Sequence, residues 1–391
     1  DALATIVKVE GMHRIADTFG PIPYVNYGSS SLYDALDLVY NKFFEELDNA
    51  IEVLSNYVNG NVDAKLMSDY DCVYGGDVEK WVKFANTLRL RLAIRVSYAN
   101  PTLAEAQAKK SMENMFGFIE SKAERAELSH NSLEYHHPLH EIAYNFNSGD
   151  CRPGATIVAY LNGLNDSRIS SYFTAADDGE YHGVRIGITT SNMSNYQGNK
   201  ISNLNINRAS TPVVWMTAAE SFFLRAEGAL RGWDMGGTAK SFYEQGVRMS
   251  FEENNAAGVD DYLADHTSTP GAFADNVGSD NYTFSSRVTP AWDDNAGFEA
   301  QLERIITQKW IANYPDGPEG WSEYRRTGYP EVIPVVRNSS NGTIDTQLQV
   351  RRLPYTRDEK INNASGVASG ISALGGQDTG GTKLWWDKKS R

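Results

Sequence analysis

"QKWIANYPDGPEGWSEYRRTGYPEVIPV", residues 308–335, sets aromatic side chains, an arginine pair and a series of Pro/Gly breaks next to one another. Trp310 extends the apolar stripe of the segment before it, "AGFEAQLERIITQKWIANY", where Leu302, Ile305 and Ile306 recur at helical spacing. Pro315 and Gly317 end that helix, and the turn through Gly320 reverses the chain into a second short helix carrying Trp321 and Tyr324. Arg325 and Arg326 then fall near the end of that helix, where cations complement its dipole, and Gly328 is placed to stop it. Every feature has a local structural use, so the stretch reads as scaffold and not as an active site.

The same grammar recurs along the chain. Residues 31–57 carry Leu36, Val39, Tyr40, Phe43, Phe44, Leu47, Ala50, Ile51 and Leu54 on one helical face, with Ser31 and Asp34 spaced as a capping box. A second helix follows Asp77, with Trp81, Phe84, Ala85, Leu88 and Leu92 on one stripe and Arg91 and Arg95 on another, and stops by Asn100. Asn100-Pro101 is an N-cap and first-position pair that opens a third helix to about residue 117. Thr217 and Glu220 suggest a capping box before "SFFLRAEGALRGW", and "TAKSFYEQGVRMSF" after Gly236-Gly237 completes a helical hairpin. Helix pairs with small residues at their crossings predict a mainly α fold of tetratricopeptide-like pairs, with an imperfect period. The scaffold is expected over 1–117, 216–254 and 298–328 of a single domain, 1–391.

Between these helices, residues 145–214, 255–294 and 330–381 are rich in Asn, Ser, Gly, Asp and Tyr and show no helical period. Ordered loops of this length often carry function. Weak alternation in "HGVRIGITT" allows one or two short strands there.

Composition excludes several classes. With 391 residues and 41% apolar content the chain can bury a large core. A net charge of −14 repels phosphate backbones, which argues against nucleic acid as a partner. Two cysteines, Cys72 and Cys151, cannot build a four-thiolate zinc site. No apolar run approaches the roughly 20 residues that span a bilayer, so the chain as given reads as soluble. Its opening, "DALATIVKVEGMHRIADTFG", has no signal-peptide layout and reads as mid-helix, so further residues are expected upstream. The apolar side of that helix, Ile6, Val9 and Ile15, is expected to need cover from them.

Catalytic motifs are missing: no Gly-x-Ser-x-Gly elbow, P-loop, Rossmann fingerprint or His-Glu-x-x-His occurs. In "HNSLEYHHPLHE" His130, His136, His137 and His140, with Glu134 or Glu141, could present metal ligands, but Pro138 argues against one helix aligning them. The acidic pairs Asp177/Asp178, Asp260/Asp261 and Asp293/Asp294 could bind calcium or act as a glycosidase pair, and are also ordinary solvated turns. No cofactor or metal is assigned. Aromatic rings in polar loops suit a carbohydrate, whose C–H faces stack on them while amides and carboxylates take the hydroxyls. The candidates for ligand binding are Trp292 with Asp293 and Asp294, Tyr282 with Asn281, and Tyr181, His182 and Tyr196. The rival reading of Trp292 is an anchor that closes its loop onto the scaffold.

"RIADTFGPIPY", "EKWVKFANTLRLRLAIRVS", "YLNGLNDSRISSYF", "MTAAESFFLRAEGALRGW", "LERIITQKWIANYPDGPEGWSEYRRTGYP", "RRLPYTRDEKINN" and "GGTKLWWDKK" closely resemble the SusD/RagB family of SusD-like outer-membrane lipoproteins. The resemblance runs in matching order over about residues 14–388. It implies a cell-surface, lipid-anchored nutrient-binding protein that caps a SusC-like TonB-dependent outer-membrane transporter and captures oligosaccharide or polysaccharide, occasionally peptide, without catalysis. A glycan-active hydrolase is the alternative. The family's secretion signal, lipid-bearing cysteine and first helices are not in the sequence, so neither Cys72 nor Cys151 is expected to be the anchor.

Overall fold

The computed structural model describes the chain except for residues 62, 64, 129–136, 147–150, 189, 209 and 390–391 and the side chains of 190–192. In chain order the helices are α1 (Ala2–Phe19), α2 (Leu36–Gly60), α3 (Val78–Arg95), α4 (Pro101–Glu113), α5 (Pro138–His140), α6 (Ala155–Gly163) and α7 (Ile169–Tyr172). They continue as α8 (Ala218–Leu230), α9 (Ala239–Glu253), α10 (Val259–Leu263), α11 (Phe298–Ala312), α12 (Gly317–Thr327), α13 (Arg357–Asn362) and α14 (Ala364–Leu374). Short antiparallel ladders join β1 (Ala126–Leu128) to β4 (Val213–Met216), β2 (Phe173–Thr174) to β3 (Asn203–Leu204), and β5 (Ala272–Phe273) to β6 (Tyr282–Thr283). Among the described residues, "HGVRIGITT" contributes only an isolated bridge, Gly154 to Val184.

Sequential helices pack in pairs, as the apolar periodicity predicts. The face of α2 from Leu36 to Leu54 is buried against α1 and α3 in one core cluster; α6, α8, α9 and α11 enclose a second. At the α8–α9 crossing a Cβ on Gly246 would lie 2.8 Å from the Phe223 ring, so only glycine permits the contact. In α1, Ile6 and Val9 are buried against α2 and its neighbours, whereas Ile15 is 43% exposed; only Ile15 among the three lacks cover.

Local signals place most helix ends. Asp77 and Asn100 accept the backbone N–H of Lys80 and Leu103 as N-caps, Asp316 accepts that of Glu319, and Gly328 ends α12 at φ 89°. Two capping boxes do not form as expected. Asp34 instead accepts the N–H groups of Tyr24 (3.0 Å) and Val25 (2.7 Å), holding the preceding turn, so α2 starts only at Leu36. Thr217 does accept the Glu220 N–H, but the Glu220 carboxylate turns inward to Arg91 at 2.8 and 2.7 Å, and Glu253 takes the free N–H groups of Ala218 and Ala219. The third helix ends at Glu113, because Asn114 folds its side chain onto the Phe116 N–H.

The arginine pair of residues 308–335 is not at the solvent-facing end of a dipole. Arg325 and Arg326 are 1% and 0% exposed. Arg326 pairs with Glu227 of α8 at 2.6 Å and with Glu323 at 2.5 Å. Arg95 of α3 meets Glu319 at 2.5 Å and Glu323 at 2.9 Å, and Lys309 of α11 meets Glu319 at 2.9 Å. Arg325 lies 3.6 Å over the Trp321 ring and donates to the carbonyl of Arg351. Charges this deep persist only when paired and hydrogen-bonded, so the layer fixes how α3, α8, α11 and α12 meet.

Two of these carboxyls tie stability to pH with opposite sign. Burial opposes ionisation of Glu227, but Arg326 and Arg231 outweigh it and hold the group at about 2, against an ordinary 4.5. Its contribution is therefore full above about pH 4.5 and lost as pH falls towards 2. Burial pushes Glu253 up to about 7 in spite of its two backbone donors, so its contribution is full below about pH 4.5 and lost as pH rises through 7. Thermal melts should show stability falling below about pH 4.5, and Glu253→Gln should gain melting temperature relative to the parent on going from pH 4 to pH 8. A pH-independent difference between the two proteins contradicts the assignment.

Candidate ligand-binding face

The segments between helices are held by specific devices. Residues 182–187 form a ribbon beside the start of α6, turning at Ile186 and Gly187, and within it Val184 exchanges backbone hydrogen bonds with Pro153 and Ala155. A Cβ on Gly183 would stand 2.8 Å from the Gly154 carbonyl oxygen, so glycine is required for this approach. On its other side Ile186 accepts the Val336 N–H. The ribbon thus brings 330–337 and α6 to the same place. Arg185, at its centre, donates to the carbonyls of Pro334 (3.0 Å) and Asn281 (3.0 Å) and lies 5.6 Å over the Tyr282 ring.

A second device is the turn after β5. Asp275 accepts the N–H groups of Val277, Gly278 and Asp280 and the Tyr196 hydroxyl at 2.5 Å. Burial raises this carboxyl, but those donors together bring it below its ordinary value. The turn borders one open cleft, and Tyr196, which it holds, borders another. One, of about 410 Å³, is lined by Asp177, Asp178, Asn195, Lys200 and Asn276. The other, of about 390 Å³, is lined by Arg152, Gly154, Arg185, Ile186, Met193 and Tyr196. Amide, carboxylate and cationic groups beside apolar ones are the surface that a saccharide's hydroxyls and C–H faces require.

The sequence candidates divide between this face and elsewhere. His182 bonds Asp178 at 2.8 Å, a contact that lowers the carboxyl of this exposed residue, and its backbone N–H donates to Ser202. Tyr181 is half-buried and accepts the Asn162 amide on its carbonyl. Asn281 accepts the Asp275 N–H, which places it on the turn. Tyr282 is half-buried, its hydroxyl donating to Glu331 at 2.8 Å, while Glu331 also gathers the N–H groups of Ser285 and Ser286.

Trp292 and Tyr196 need correction as stacking platforms. Trp292 is 7% exposed, packs on Tyr243 of α9 at 5.3 Å between centroids, and donates its indole N–H to Asp294 at 3.1 Å. Asp294 also pairs with Lys240 of α9, and Asp293 accepts the Asn295 N–H. This is the anchor arrangement: loop 290–294 is fastened to α9. Tyr196 is 5% exposed and is fixed by Asp275, so it walls a cleft without offering an open ring face.

One member of each acidic pair is held in a local contact: Asp260 pairs with Arg248 at 2.6 Å, beside the bonds of Asp178 and Asp294 already given. His137 caps the short α5 by accepting the Leu139 N–H, and His140 stacks on Tyr144 at 4.7 Å. His130, Glu134 and His136 lie outside the described residues. Among the described residues no group of three His, Cys, Asp or Glu side chains is arranged to hold a metal, and Cys72 and Cys151 are free thiols. Sequence reading missed Arg152, Arg185, Asn195, Lys200, Asp275 and Asn276. The glycine-flanked "GVRIG" was the available signal for Arg185, since close backbone approach on both sides of one arginine marks a fixed side chain.

The polar clefts thus lie on segments that connect a scaffold of paired helices. The SusD-like family profile, described as Susd and RagB outer membrane lipoprotein, matches residues 1–387, and the chain belongs to that family. A chitin-binding SusD homologue from Flavobacterium johnsoniae is 42% identical, with a TM-score of 0.94 over 100% of this chain and 81% of that one. A SusD homologue from Bacteroides uniformis is 44% identical, with a TM-score of 0.92 over 99% of this chain and 81% of that one. A SusD-like protein from Bacteroides thetaiotaomicron is 41% identical, with a TM-score of 0.90 over 100% and 81%. No curated protein matches the chain.

Proposed function

We infer that this protein is a non-catalytic glycan-binding subunit of a SusCD-type nutrient uptake system, facing outward from the outer membrane and lipid-anchored. The observation that carries the reading is the 42% identity, along the whole chain, to a structure described as a chitin-binding SusD homologue. The two polar clefts support it, because they present hydrogen-bonding groups without an assembled nucleophile or metal set among the described residues. Among the described residues no helix is long and apolar enough to cross a membrane, so passage of a captured glycan calls for a separate conduit. A SusC-like TonB-dependent barrel fits that need.

The test is a glycan and peptide array, followed by chromatography of the best ligand after prolonged incubation with the protein. Saturable binding of an oligosaccharide recovered at its original length is the expected result. Shortened products that vanish with Asp178→Asn would make the protein a hydrolase, and binding to peptides alone would reassign the cargo.

A further inference from the structure

The chain carries 50 acidic against 36 basic residues, so an arginine without a carboxylate partner is conspicuous. Arg152 and Arg185 both line the 390 Å³ cleft, and neither has a carboxylate within ion-pair distance among the described residues. The nitrogen Nε of Arg152 is closed off from solvent with no hydrogen-bond acceptor. Arg185 is oriented by neutral carbonyls only, those of Pro334, Asp280 and Asn281, so its position is fixed while its charge stays uncompensated. Asp275, which holds Tyr196 of that wall, is already occupied by the Tyr196 hydroxyl and three backbone N–H groups.

Two arginines lining one cleft within a protein of net charge −14 are a selective device, because the overall charge of the protein disfavours anions. Ile186, 67% exposed, and Met193, 44% exposed, add an apolar ledge beside them. The geometry points to a subsite for an acidic saccharide residue, its carboxylate or sulfate held between Arg152 and Arg185 and its ring C–H face resting on Ile186 and Met193. This rests on the glycan-binding reading and gives its ligand a charge class.

Calorimetric titrations decide it, with three probe sets: oligouronides, sulfated glycosaminoglycan oligosaccharides, and neutral chitooligosaccharides. At least one acidic set should bind more tightly than the neutral one and weaken as salt is raised, and which acidic set binds separates carboxylate from sulfate. Arg152→Gln and Arg185→Gln should each weaken that acidic ligand about tenfold or more, and weaken it more than they weaken the neutral probe. Arg152 makes no hydrogen bond within the described fold, so its variant should melt with the parent and carries the test even if Arg185→Gln disturbs the ribbon. Neutral binding with no acidic preference, or acidic binding that survives both substitutions, overturns the subsite alone. Failure of every glycan overturns the glycan-binding reading together with it.

Discussion

Arg326→Met should destabilise the fold by about 3–5 kcal/mol, the cost of leaving buried carboxylates without their cation. Arg326 is 0% exposed and is the 2.6 Å partner of Glu227, which burial alone would keep protonated. The matched comparison is Arg248→Met. Arg248 meets Asp260 at the same 2.6 Å, but those side chains are 49% and 82% exposed, and a solvated pair contributes about 0–1 kcal/mol. Denaturant unfolding of the two variants separates burial from distance as the deciding quantity. Equal, small losses would mean that the charged layer does not hold α3, α8 and α12 together.

Trp292→Ala should cost about 3–5 kcal/mol of stability and leave glycan affinity, per folded molecule, unchanged. The indole is buried against Tyr243, so its removal opens a cavity between loop 290–294 and α9. Tyr282→Ala removes a half-buried ring beside Arg185 and should show the reverse emphasis, with a greater effect on ligand than on melting temperature. Melting curves and titrations on the same samples check both, and a Trp292→Ala protein that melts normally but binds nothing contradicts the anchor assignment.

Legibility followed the range of the interactions. The scaffold helices could be read because their signals are local: the stripe of α2, the caps Asp77, Asn100 and Asp316, and the stop at Gly328 each depend on residues within one or two turns, whereas α6, α7, α10, α13 and α14 fall inside segments that read as loop. The environment of Arg326 could not, because its partner Glu227 is 99 residues away, and a local view sees only a cation at a helix end. The same limit explains Asp34 and Glu220, whose spacing fits a capping box but whose carboxylates find stronger use elsewhere. Around residues 281–294 neither alternation nor a helical period was read, so nothing in the sequence distinguishes the buried Trp292 from the half-buried Tyr282. Arg152 and Arg185 likewise stand apart in sequence and come to line one cleft only when the 182–187 ribbon folds beside α6.

The most direct test of the central claim, that ligand is held by the segments between helices and not by the helical signature of residues 308–335, is hydrogen exchange with and without a saturating glycan. Exchange should slow over residues 176–204 and 275–282, where the two clefts lie, and remain unchanged over α12. Slowing confined to α11 and α12, with the clefts exchanging as before, would contradict it.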